Sequence, residues 1–218
     1  MSVTEIAAVI FDCDGTLVDS ETLSLSVLIE YVAEFGLVIS ADEAHDRFAG
    51  NELSVVLREI EQRLGCSLPT EFLHNFRRRQ MSVLREHVRP IDGAHRLLAG
   101  LRVPFCLASN APRSKIELCL ETTGLHVHFS ASRIHSAYEV DAWKPRPDLF
   151  LKAAAEIGVP PQRCAVVEDS VFGIEAGLAA GMQVCVYDPH NRHHQFEHLC
   201  RVRHLDELES VFGGINNR

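Results

Sequence analysis

The sequence predicts an α/β protein: a doubly wound, Rossmann-like parallel sheet with a small α-helical domain inserted after its first strand. Three observations carry this reading. From residue 100 onward, short apolar, β-rich runs alternate with helical stretches, a pattern that implies a parallel sheet with helices on both faces. Between Ser20 and Arg89 the periodicity is helical only, and roughly seventy residues is far more than a crossover between adjacent strands requires. The chain of 218 residues, 46% hydrophobic and 23% charged, has room for one sizeable core and a smaller appended unit.

Taken in order, Ala7 to Phe11 is a short apolar run with no basic stretch or small-residue cleavage site around it, so it reads as a buried first strand rather than a signal peptide. Leu23, Val27, Leu28, Tyr31 and Phe35 then recur at helical spacing up to Gly36. Leu53, Val56, Leu57 and Ile60 repeat the pattern before Gly65, and Phe72, Phe76, Val83 and Leu84 mark a long final helix of the insert. Beyond it the expected elements are a strand from Pro104 to Ser109, a helix from Ser114 to Thr123, a short strand from Ser132 to His135 and a helix from Pro147 to Ile157. A strand from Cys164 to Val167, a helix from Val171 to Ala180 and a strand from Met182 to Tyr187 follow. Prolines at 112, 147, 160 and 161 and glycines at 124, 158 and 181 bound these helices. The expected division is therefore a core of residues 1–18 and 91–218 and an insert of residues 19–90, with hinges near Asp14–Ser20 and Glu86–Gly93.

Charge and cysteine usage exclude several classes. A net charge of −9 disfavours nucleic acid as a partner. No apolar run is long enough to span a bilayer, so no membrane partner is expected. The seven cysteines are scattered, odd in number and without a Cys-x-x-Cys pair, which argues against a disulfide framework and for a reduced, cytoplasmic setting. A monomer or weak homodimer is expected.

Ligands of open α/β sheets bind at the carboxyl ends of the strands, so four loops matter most. The first, Asp12-Cys13-Asp14-Gly15-Thr16, places two carboxylates after an apolar strand, and Gly15 lets the chain turn both towards one site. One carboxylate can attack phosphorus while the other handles the leaving-group proton; alone, the pair also fits turn or capping aspartates. The second, Ser109-Asn110, offers a hydroxyl and amide hydrogens that bind phosphoryl oxygens without added charge, although alone it is an ordinary strand-end turn. The third holds Lys144 ahead of Pro145-Arg146-Pro147, which fixes an extended backbone and starts a helix. In the fourth, Glu168 and Asp169 follow a buried strand and bring negative charge towards Asp12, an arrangement that calls for a hard cation such as Mg2+. Ser170 and Gly173 then open a helix whose amino end favours anions.

In this order the four segments resemble the four motifs of the haloacid dehalogenase-like hydrolase superfamily, with its alpha-helical-cap, beta-phosphoglucomutase-like branch nearest. The resemblance covers nearly the whole chain. It implies Asp12 as nucleophile and Asp14 as general acid and then base, with Mg2+ held by Asp12, the backbone carbonyl of Asp14, Asp169 and Glu168, the last directly or through water. Thr16 would steady the first loop, and Ser109, Asn110 and Lys144 would contact the phosphoryl group. Trp143 stands where the family's third motif often has glycine. The insert resembles the family's mobile cap, and its Ala49-Gly50-Asn51 loop is the best candidate for reading the leaving group, although Gly50 also suits a helix stop.

The expected function is a Mg2+-dependent phosphatase of small phosphate monoesters, sugar or organic-acid phosphates, acting through an aspartyl-phosphate. A phosphosugar mutase is the alternative; the uncharged Ala49 and Asn51 weigh against it, while Arg47 nearby keeps it open. Asp14 and Asp169 argue against a dehalogenase, and the insert argues against a phosphoaspartate signalling module. Arg77-Arg78-Arg79, with Arg85 and Arg89, reads as a solvated helix face, and His190, His193, His194 and His198 as a surface segment without a paired metal-ligand motif. Asp188-Pro189-His190-Asn191 resembles the same segment of bacterial phosphatases acting on 6-phosphogluconate and related sugar phosphates.

Overall fold

The computed structural model describes residues 5–212. Strand β1 (Ala8–Phe11) leads into four helices, α1 (Glu21–Ala33), α2 (Ala41–Phe48), α3 (Leu53–Leu64) and α4 (Phe72–His87). The chain continues through α5 (Ala94–Gly100), β2 (Phe105–Ser109), α6 (Arg113–Thr123), β3 (Ile134–Ser136), α7 (Ala137–Val140) and α8 (Asp148–Ile157). It ends with β4 (Cys164–Glu168), α9 (Val171–Ala179), β5 (Gln183–Tyr187), β6 (Cys200–Val202) and α10 (Leu208–Phe212).

The six strands form one sheet in the order β3-β2-β1-β4-β5-β6, every pair parallel. Alternation along β1 shows how it is covered. Val9 and Phe11 pack with residues of α5, α6 and α10, while Ala8 and Ile10 pack with residues of α8 and α9. Both faces are thus buried, as parallel strands require.

The insert has a core of its own, built by Val27, Leu28 and Tyr31 of α1, Phe48 of α2, Val56 and Ile60 of α3, and Phe72 and Phe76 of α4. Tyr31 stacks on Phe72 at 4.5 Å between ring centroids. The two connections to the sheet run side by side. The N–H of Asp19 donates to the Arg89 carbonyl (2.9 Å), and that of Ile91 to the Leu17 carbonyl (2.9 Å).

Four elements depart from the sequence expectation. Helix α2 is largely polar, with only Ala44 and Phe48 buried, so its apolar stripe is too thin to stand out. Helix α5 and strand β6 are short, and β6 occupies a sheet edge beyond the last expected strand. Strand β3 begins two residues later than expected, because Ala131–Arg133 forms a single 3-10 turn first.

Candidate active site

The order of the sheet reverses at β1, which lies between β2 and β4, and such a reversal opens a crevice at the strand carboxyl ends. Phe11 pairs with Val167 in register, and the Asp12 N–H donates to the Val167 carbonyl (3.0 Å), so the first and fourth loops leave the sheet together. The third loop is tied to the second by Asn110, whose Oδ1 accepts the Lys144 N–H at 2.9 Å.

Lys144 is the hub. Its buried ammonium donates to Asp12 Oδ1 (2.5 Å), Glu168 Oε1 (2.7 Å) and the Ala108 carbonyl (2.9 Å), which uses all three of its hydrogens. Burial alone would discharge it, but the Asp12 and Glu168 carboxylates outweigh burial and raise its pKa. The other oxygen of Glu168 accepts the N–H groups of Asp169 and Ser170 (both 2.9 Å) and the Ser170 hydroxyl (3.0 Å). Both oxygens of Glu168 are therefore engaged and its carboxyl is fixed in place.

The two aspartates of the first loop differ sharply. Burial pushes the Asp12 carboxyl well up, and Glu168 and Asp14 add to this against the pull of Lys144. Asp14 is half-buried, and its carboxyl lies below the ordinary value, because the Lys115 ammonium sits 2.7 Å away and Ser20 and Ser109 donate hydrogen bonds to it, which together outweigh desolvation. Asp169 is pushed well up by burial and by Glu21, Glu168 and Asp12, with the Thr16 hydroxyl (2.6 Å) opposing.

The donor set fits a divalent cation. Oxygens of Asp12, Glu168 and Asp169 all lie within 4.8 Å of one another, and Lys144 supplies a single positive charge against three carboxylates. Among the described residues no backbone N–H donates to the Asp14 carbonyl: the Gly15 N–H donates to the Val18 carbonyl and the Val18 N–H to the Cys13 carbonyl. Gly15, at φ +86°, forms a wall of the same cradle: a Cβ there would lie 2.1 Å from Asp169 Oδ2. Hard oxygen donors with excess negative charge match Mg2+.

A cavity of about 930 Å³ including its mouth opens over Asp12, Asp14 and Lys144, and the insert forms its far side. Ser109, Asn110, Gly50 and Asn51 line it. Gly50 sits on the seam: its N–H donates to Glu21 (2.7 Å) and its carbonyl accepts from the Asn110 side-chain amide (3.3 Å). Thr16 and Asp169 do not line this cavity; Thr16 is fully buried and holds Asp169 in place.

Sequence reasoning missed several lining residues. Lys115 reads as an ordinary helix lysine, yet it is buried against Asp14. Arg77, expected on a solvated face, lines the cavity and donates to the Tyr138 hydroxyl at 3.2 Å, with no carboxylate at ion-pair distance among the described residues. Glu21, at the start of α1, is pushed up to about 7, chiefly by burial. His193 belongs to the expected surface segment, but its Nε2 lies 2.6 Å from the Asp169 carbonyl. The Asp188 carboxylate accepts the N–H groups of Arg192 and His193 (2.8 and 3.0 Å) and fixes that turn. No motif spacing signals these contacts; for Ser20, following Asp14 into a helix start, the position itself was a usable signal.

Residues 9–187 match the family model described as haloacid dehalogenase-like hydrolase. The chain is 32% identical over 212 residues to the 6-phosphogluconate phosphatase of Escherichia coli (strain K12), with 96% of each covered. It is 32% identical over 194 residues to hexitol phosphatase B of the same organism, covering 84% of this chain and 83% of that one. Among solved structures, a conserved haloacid dehalogenase-like protein of unknown function from Agrobacterium tumefaciens superposes with a TM-score of 0.83 at 32% identity, covering 97% of this chain and 100% of the other. With its crevice, its four strand-end loops and these relatives in agreement, the chain belongs to the haloacid dehalogenase-like hydrolases and is a hydrolase of phosphoric monoesters.

Proposed function

We propose that the enzyme releases phosphate from small phosphorylated sugars or sugar acids through an aspartyl-phosphate on Asp12, with Mg2+ as cofactor. The observation that supports this best is the hub around Lys144, which presents Asp12 in the crevice at the reversal point of the sheet while Asp14 is held beside it by separate donors. Bound by Asp12, Asp169 and the Asp14 carbonyl, with Glu168 acting as a fixed charge or through water, Mg2+ would neutralise charge on the phosphoryl oxygens. Asp12 attacks phosphorus in line, and Asp14 delivers a proton to the departing oxygen. Lys144 and the Ser109 hydroxyl stabilise the equatorial oxygens. Asp14 then takes a proton from water, which cleaves the acyl phosphate.

Residues 19–90 act as a cap that covers this chemistry and contacts the leaving group through Gly50, Asn51 and Arg77. Support comes from its separate core, its paired connections at Leu17–Asp19 and Arg89–Ile91, and its place on the cavity wall. The sugar-phosphate class rests on the relatives named for 6-phosphogluconate and hexitol phosphates. The cytoplasm is the proposed setting; no described helix is long and apolar enough to cross a membrane.

A phosphosugar mutase is the second reading, favoured by Arg77, which supplies the cavity with a cation that has no carboxylate partner among the described residues, where Ala49 and Asn51 carry no charge. One screen tests both. Phosphate release from phosphorylated sugars and aldonates is measured with Mg2+, beside isomerisation primed by a sugar bisphosphate. Release is expected for wild type and should fall on the order of 10⁴-fold in Asp12→Asn. Equal release by Asp12→Asn would overturn the mechanism, and primed isomerisation outpacing release would favour the mutase.

A further inference from the structure

All seven cysteines are free thiols, and two of them meet away from the cavity. Cys185 on β5 and Cys200 on β6 are direct partners in the parallel ladder, and their sulfurs lie 2.8 Å apart. Neighbouring strands are spaced about 4.7–4.9 Å, inside the Cα separation of about 4.4–6.8 Å that a disulfide accepts. The two thiols are unequal. Cys185 is buried in the core beneath the sheet, whereas Cys200 lies exposed on the edge strand. The hydrogen bond between them draws the Cys200 thiol down to about 7, while the same bond and burial push Cys185 up. An exposed, thiolate-forming sulfur beside a second thiol is the arrangement of a redox-reactive cysteine with a resolving partner. Cys66, also exposed, makes no thiol contact and serves as an internal control.

We propose that Cys200 and Cys185 are a peroxide-reactive thiol pair that closes to a reversible disulfide across β5 and β6. The Cys200 thiolate attacks one oxygen of hydrogen peroxide, breaking the O–O bond to give a sulfenic acid and hydroxide, which is protonated to water. The Cys185 sulfur then attacks the sulfenic sulfur; the S–S bond forms, the S–O bond breaks, and the departing hydroxide leaves as water with the Cys185 proton. Two thiols are oxidised and one peroxide is reduced to two waters. The closed loop would contain the Asp188–His193 turn that holds the Asp169 carbonyl, which brings the bond next to the catalytic loops without occupying them.

The test uses the full chain. It is exposed to hydrogen peroxide, free thiols are blocked with iodoacetamide, and unreduced peptides are read by mass spectrometry. A peptide pair linking Cys185 to Cys200 is expected, lighter by two hydrogens than the two thiol peptides and lost on dithiothreitol. It should form roughly tenfold faster than any oxidation at Cys66. Cys200→Ser should abolish the link, and Cys66→Ser should retain it. Cys185→Ala should stop at a Cys200 sulfenic acid trapped by dimedone, and both pair variants should keep wild-type phosphatase activity when reduced. Failure to find the link in wild type, or oxidation of Cys66 at the rate of Cys200, would overturn the proposal. If Cys185→Ala misfolds, the wild-type and Cys200→Ser comparison alone still decides.

Discussion

Two buried lysines each hold one aspartate of the first loop, and they do so differently. Lys144 reaches Asp12 from the loop before α8 and divides its charge among Asp12, Glu168 and a backbone carbonyl. Lys115 reaches Asp14 from the first turn of α6 and, among the described residues, has that carboxylate as its one ion-pair partner. The Lys144 side is a closed network whose members cannot move separately. The Lys115 side is a single contact on an aspartate that also takes hydrogen bonds from Ser20 and Ser109. The contrast suits the roles proposed for them: a nucleophile needs fixed aim, whereas a residue that gives and then takes a proton needs a tunable one.

Removing Lys144 should give the largest effect. Lys144→Met leaves the buried Asp12 and Glu168 carboxyls without the ammonium that bridges them, which costs about 3–5 kcal/mol of stability and abolishes phosphate release. Denaturant melts at neutral pH check the first part. A variant as stable as wild type would break the contrast between the two lysines.

Lys115→Met should cost less, about 1.5–3 kcal/mol, since one charged contact is lost and two hydroxyl donors remain. Lys115 holds the Asp14 carboxyl below its ordinary value, so its removal raises that pKa. The proposed mechanism needs Asp14 protonated for phosphoryl transfer, so the alkaline limb of kcat/KM should move to higher pH. A pH–rate profile that does not shift would leave Lys115 a purely structural contact.

The smallest effect is expected at Glu21, which joins the insert to the seam through the Gly50 N–H. Burial lifts its carboxyl from an ordinary 4.5 to about 7. A carboxyl raised in the folded state destabilises progressively as pH rises between those two values, because only the unfolded chain ionises easily there. Glu21→Gln should remove that slope: its Tm relative to wild type should climb across the window and stay flat below it. Parallel curves for the two proteins would show that Glu21 ionises normally.

How legible was all this in the sequence? Asp12, Ser109, Glu168 and Asp169 lie at or just beyond the ends of apolar strands and Lys144 precedes Pro-x-Pro, so these segments and their order could be read from the sequence. Lys115, Glu21 and Arg77 sit on helices, where reaching the crevice depends on how each helix is rotated against the sheet or the insert. That rotation is set by distant packing, such as Phe76 in the insert core, and leaves no local mark. The Cys185–Cys200 contact was hidden for the same reason: it depends on the register of an edge strand of three residues, too short to show alternation.

Gly50 carries a consequence for redesign. Its backbone is at φ +69°, and any side chain would begin 2.6 Å from the Ser170 Cβ. Asn51, Arg77 and Tyr138 face the cavity and are open to variation, but the position between insert and core admits one residue type. A library aimed at new substrates should therefore randomise around Gly50 and never through it. Changes there would part the insert from the sheet before they altered which substrate is chosen.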